Sequence, residues 1–114
     1  GAEFMGYATD ITCSFPANGV FTDDQKTIYQ AVRAAQISVE VAMKPGVNWV
    51  DLHRVAERVI LLHLLGAGIC VSEAAEESDA VDELMAAKIG ALFMPHGLGH
   101  FLGMVVHDVG GFTK

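Results

Sequence analysis

At 114 residues, with 7 Lys and Arg against 14 Asp and Glu, the chain has the size of one domain and a formal charge of -7. A surface that tracks phosphates needs clustered cations, so neither nucleic acid nor an anionic membrane is expected as a partner. Hydrophobic residues make up 52% and mean hydropathy is +0.37. A chain this long buries roughly two thirds of its unfolded surface, so part of that apolar content is expected to meet other protein.

The longest apolar run, Val59 to Leu65, is interrupted by His63 and falls far short of the ~20 residues that span a bilayer. No cationic stretch leads into an apolar one near the start, so no secretory leader is read there. Cys13 and Cys70 share no motif spacing and read as two reduced thiols of a cytoplasmic protein. The first methionine is Met5, and the chain stops at Gly110-Gly111-Phe112-Thr113-Lys114 just after a strand-like run. Both ends are therefore expected to be cuts through a larger domain, with a cloning remnant at Gly1 to Phe4 as the other explanation of the start.

Taken in chain order, Phe4 to Phe15 is rich in apolar and β-branched residues and ends at the turn formers Pro16-Ala17-Asn18-Gly19, which predicts a strand and a turn. Thr22 stands three residues before Gln25, a capping box, with Asp23 and Asp24 where the helix dipole favours negative charge. The helix that starts there carries Ile28, Val32, Ala35, Val39 and Met43 on one stripe and stops at Lys44-Pro45-Gly46. A second helix begins near Asn48 or Asp51, carries Leu52, Val55, Val59 and Leu62 on one face, and ends at Gly66 or Gly68.

Ser72 to Asp79 reads as a solvated acidic loop. Ser78 is the expected cap of a third short helix that buries Val81, Leu84, Met85 and Ile89. From Ala91 to Val109 the composition turns to β-branched, aromatic and glycine residues, which predicts strands broken by loops. Strand, three helices and strands, with no internal repeat, make an α+β domain with helices on one face of a sheet.

Three of the five histidines, His96, His100 and His107, fall within twelve residues. Gly97 and Gly99 disfavour a helical pair, and the glutamate of a helical zinc motif is absent. On an extended backbone His96, Leu98, His100 and Leu102 would share a face and aim two imidazoles into one cleft. His53 and His63, isolated in helical runs, read as histidines satisfied by local hydrogen bonds. The cluster among glycines reads instead as metal ligands or proton carriers, because neutral imidazole serves both roles. Asp10 is the only charge in Gly6 to Phe15, so if buried it requires a partner or a cation; capping of a turn is the competing reading. Composition and spacing reach a His/Asp metal site and no further.

The segment Asp10-Ile11-Thr12-Cys13-Ser14-Phe15-Pro16-Ala17-Asn18-Gly19 closely resembles the stretch that holds a metal-bridging aspartate in the pita-bread metallopeptidases that act as proline dipeptidases. Phe93-Met94-Pro95-His96-Gly97-Leu98-Gly99-His100-Phe101-Leu102-Gly103, followed by Val106-His107-Asp108-Val109-Gly110-Gly111, resembles the histidine segment of the same family. The resemblance covers residues 1–114 and is weakest over Val71 to Ser78. It implies a partial pita-bread fold within one metallopeptidase catalytic domain, and hydrolysis of Xaa-Pro dipeptides by a hydroxide held between two divalent ions. Manganese is the first choice, with zinc or cobalt as alternatives.

By motif position, the resemblance makes Asp10 a ligand of both ions and His100 the histidine ligand. It places His96 near the carboxylate end of the substrate, and gives His107 the scissile region and its tetrahedral intermediate. It also implies a cytoplasmic, homodimeric parent. The family's site has five protein ligands, of which this chain supplies two; the spacing sets one aspartate before Gly1 and two glutamates after Lys114. The chain alone is therefore expected to be inactive. Other readings are an aminopeptidase P-type exopeptidase, creatinase, or a pita-bread module that has lost its metals and binds peptide or protein.

Overall fold

The computed structural model describes residues 1–110. The chain forms two compact units. One comprises Val20–Leu98, and the other is built from Gly1–Gly19 with Gly99–Lys114.

The first unit is helical. Helix α1 spans Asp23–Ala42, and its N-terminus is the expected capping box. The Thr22 hydroxyl accepts from the Gln25 amide at 3.2 Å, and the Gln25 side chain accepts from the Thr22 amide at 3.1 Å. Helix α2 spans Trp49–Gly66 behind Asn48, whose side chain accepts from the Val50 amide at 2.8 Å. Its end resolves the choice between two glycines: Gly66 is the last helical residue and Gly68 takes the left-handed conformation at φ 71. The Gly68 amide returns to the Leu65 carbonyl and the Ile69 amide to the Leu64 carbonyl, a Schellman closure.

Helix α3 spans Glu77–Ala86 and differs from expectation at its start, because the N-cap is Glu76 and not Ser78. The Glu76 carbonyl already accepts from the Ala80 amide, which places Ser78 inside the first turn with its hydroxyl turned to Asp79. The acidic stretch is thus helix from Glu77 onward.

The four-residue α4, Gly90–Phe93, occupies the start of the region expected to be strands. Beyond it the described backbone holds only an isolated antiparallel bridge, Phe101 with Asp108.

Two clusters hold this unit together. Ala35 and Val39 of α1 meet Leu52 and Ala56 of α2 with Met94, and Leu98 packs against them. Leu61 and Leu64 of α2 meet Val81 and Leu84 of α3 with Cys70. The stripe expected on α1 is only half realised. Ala31, Ala35 and Val39 are buried, whereas Ile28, Val32 and Met43 are exposed, because α1 meets α2 through the face that carries Ala35 and Val39. On α2 the buried set is Leu52, Ala56, Leu61 and Leu64, with Leu62 facing outward.

In the second unit, β1 (Glu3–Phe4) and β2 (Tyr7–Ala8) form an antiparallel hairpin in register Glu3 with Ala8 and Phe4 with Tyr7. The single strand expected over Phe4 to Phe15 is thus a two-residue hairpin followed by irregular chain. At its tip Met5 and Gly6 both have positive φ, as a two-residue hairpin turn demands. The expected turn at Pro16 to Gly19 is present, with the Gly19 amide donating to the Pro16 carbonyl at 2.9 Å. The Ala8 amide donates to the Gly103 carbonyl at 2.8 Å, which ties the hairpin to the loop that carries His100 and His107.

The described residues thus carry four helices and one small antiparallel sheet, an α+β architecture.

Candidate functional site

Asp10 and His100, ninety positions apart, meet within the second unit. His100 Nε2 lies 3.2 Å from Asp10 Oδ2. Neither is buried: the side chains are 35% and 38% exposed, so Asp10 has a partner without being enclosed.

The state of His100 follows from its other nitrogen. Nδ1 lies 2.9 Å from the Phe101 carbonyl oxygen, which can only accept, so Nδ1 carries a proton. In the neutral ring Nε2 then presents a bare lone pair to a carboxylate oxygen. Two electron-pair donors this close repel unless something positive lies between them, either a second proton on the ring or a shared cation. A separation of about 3 Å is also that of two adjacent ligands each roughly 2.1 Å from one divalent ion. A carbonyl-bound Nδ1 that frees Nε2 is the usual setting of a histidine ligand. The donor pair therefore fits a divalent cation as part of a ligand set. Among the described residues no group of three or more His, Cys, Asp or Glu side chains is arranged to complete it.

His107 joins this pair. Its ring lies 4.1 Å from that of His100, centroid to centroid, at an interplanar angle of 51°. It is exposed, and so is open to a ligand arriving at Asp10 and His100.

His96 belongs to the other unit, where its Nδ1 faces the Gly97 carbonyl at 2.8 Å. The straight extended run expected to carry His96 and Leu98 is not formed. The backbone bends at His96 and Leu98, as Gly97 and Gly99 permit, and Leu98 goes to the α1–α2 cluster. Of the isolated histidines, His63 behaves as expected, its Nδ1 meeting the Val59 carbonyl at 2.9 Å, whereas His53 Nε2 stands 3.6 Å from Glu57 Oε1 one turn along α2, beyond hydrogen-bond reach.

Sequence reasoning gave Asp108 no role. Its carboxylate accepts from the amides of Met104 at 2.9 Å and Val109 at 2.8 Å, beneath the loop that presents both histidines. The available signal was Gly103, five residues earlier, where a side chain would fill the space that this carboxylate occupies.

Comparison with known proteins places the chain in a family. The chain matches Metallopeptidase family M24 over residues 1–114. It is 54% identical over its whole length to the Xaa-Pro dipeptidases of Homo sapiens and Rattus norvegicus, covering 22% of each. It thus spans about a fifth of the length of the curated relatives it matches. Among solved structures, the aminopeptidase PepP of Pseudomonas aeruginosa superposes with a TM-score of 0.85 at 39% identity, covering 98% of this chain and 24% of that one. Zinc-substituted Escherichia coli aminopeptidase P in complex with product gives 0.82 at 37% identity, covering 93% and 22%. The fold is the corresponding part of the pita-bread architecture of those enzymes, and the chain belongs to metallopeptidase family M24.

Proposed function

We propose that this chain is part of the catalytic domain of a cytoplasmic, homodimeric Xaa-Pro dipeptidase and supplies two of its metal ligands. The observation that carries the reading is the approach of His100 Nε2 to Asp10 Oδ2 at 3.2 Å, with the His100 Nδ1 proton already given to the Phe101 carbonyl. Asp10 would hold two divalent ions, manganese in preference to zinc or cobalt, and His100 one of them. Such ions, when bound, polarise the scissile carbonyl and activate water at neutral pH.

The chain's own residues do the rest. The Phe101 carbonyl keeps the His100 proton on Nδ1 and aims Nε2 at the ligand side. His107, exposed and seated against His100, donates a ring N–H to the scissile region as negative charge develops there. His96 contacts the carboxylate end of the dipeptide. The carboxylates needed to complete the ligand set would come from protein outside residues 1–114, so this chain by itself is inactive.

A second reading, an aminopeptidase P acting on longer peptides, is favoured by the solved structures that superpose on the chain. The 54% identity to dipeptidases, against 41% to a probable Xaa-Pro aminopeptidase of Verticillium alfalfae, supports the first.

The test is hydrolysis by the full-length protein that carries this sequence, with manganese added. Cleavage of Gly-Pro but not of a longer peptide with proline in its second position is expected. The reverse preference favours the aminopeptidase, and no cleavage of either refutes the enzyme reading.

A further inference from the structure

The loop between His100 and His107 is built around one contact. An ideal Cβ on Gly103 would lie 1.9 Å from Asp108 Oδ2, so the carboxylate fills the space that any other residue's side chain would take. From there Oδ2 accepts from the Met104 amide in the middle of the loop and Oδ1 from the Val109 amide just beyond His107, so one side chain ties the two together. Gly103 and Asp108 are also the only described residues from 99 to 110 that are not exposed. The Asp108 amide donates to the Phe101 carbonyl at 3.1 Å, and that same oxygen receives the His100 Nδ1 proton at 2.9 Å. One residue thus holds the acceptor that fixes the His100 tautomer and is the immediate neighbour of His107.

We propose that Asp108 is a positioning residue: seated in the space left open by Gly103, it locks loop 101–109 so that His100 keeps its proton on Nδ1 and His107 stays against its ring. The consequence for catalysis rests on the dipeptidase reading. The lock itself does not, and the following experiment reads the lock alone.

Long-range proton–nitrogen NMR on the 114-residue chain, in metal-free alkaline buffer where imidazole is neutral, distinguishes the two ring tautomers. The unaltered chain should show His100 with the proton on Nδ1 and a ring-to-ring cross-peak to His107. Asp108→Ala should turn His100 into a mixture of tautomers and remove the cross-peak. Gly103→Ala should do the same, because its methyl group displaces the carboxylate. The double variant should be no worse than either single change, since both break one contact. Asp108→Asn, which keeps one acceptor oxygen, should retain a larger share of the Nδ1 form.

The amides of Ala8 and Thr9, bonded to the Gly103 and Ala2 carbonyls, report on the rest of the unit. An unchanged His100 tautomer in Asp108→Ala overturns the proposal. So does additivity of the two changes, or collapse of the Thr9 amide together with the histidine signals, which would give Asp108 only a general part in folding.

Discussion

Replacing Leu61 by Ala separates the helical core described above from one drawn by helical periodicity alone. Leu61 is 0% exposed and sits among Leu64, Cys70, Val81 and Leu84, where α2 meets α3. Leu62, which the periodic pattern assigned to the buried face, is 37% exposed. Truncating a fully buried leucine costs about 2–5 kcal/mol, the lost transfer energy plus the cavity left behind. A unit of about 80 residues has roughly 4–12 kcal/mol of stability in all, so Leu61→Ala should remove a large fraction of it. With a urea slope of about 1 kcal/mol per molar, the midpoint should fall by about 2 M or more. Leu62→Ala should move it by less than about 1 M. Urea unfolding followed by far-ultraviolet circular dichroism measures both. Equal losses, or a larger loss at Leu62, would refute the placement of α2.

The capping box makes Thr22→Ala worth about 1 kcal/mol of stability, read as a lower urea midpoint with an unchanged slope. Lys88 closes α3 in the left-handed region at φ 57, so Lys88→Gly should raise stability by a few tenths to about 1 kcal/mol in the same assay. Burial pushes the Cys70 thiol up, whereas Cys13 is exposed, so a thiol reagent at neutral pH should label Cys13 first and Cys70 only on unfolding. The raised value favours the protonated thiol in the folded state. Cys70 therefore leaves stability unchanged below the ordinary thiol range and lowers it as pH rises through that range toward the folded value, a slope that Cys70→Ala should flatten.

What the sequence made readable was local. Thr22 with Gln25, Asn48 before α2 and Gly68 after it are signals whose partners lie within a few residues, and the structure uses each of them. Ser78 shows the limit of such a signal, because a serine among acidic residues looks like a cap whichever carbonyl begins the helix.

The strands expected from Ala91 to Val109 depended on composition, but a strand also needs a neighbour, and the described backbone gives that stretch one bridge. The helical stripes predicted which elements form but not which apolar residues are covered, since that depends on which face of α1, the one with Ala35 and Val39, meets α2. Asp10 and His100 had no local relation at all. Composition and spacing reached a His/Asp site, the likeness of their two segments to a known family singled out this pair, and the 3.2 Å approach was outside what spacing could supply. Gly110 is the last residue of the histidine segment that the structure describes; Gly111 lies outside the described residues.

The most direct measurement is a manganese titration of the 114-residue chain, by calorimetry or electron paramagnetic resonance, beside Asp10→Ala, His100→Ala and His63→Ala. Weak but saturable binding is expected, lost in Asp10→Ala and in His100→Ala and retained in His63→Ala, whose ring is engaged by the Val59 carbonyl. Binding that survives the loss of His100, or that disappears equally with His63, would contradict a metal site at Asp10 and His100.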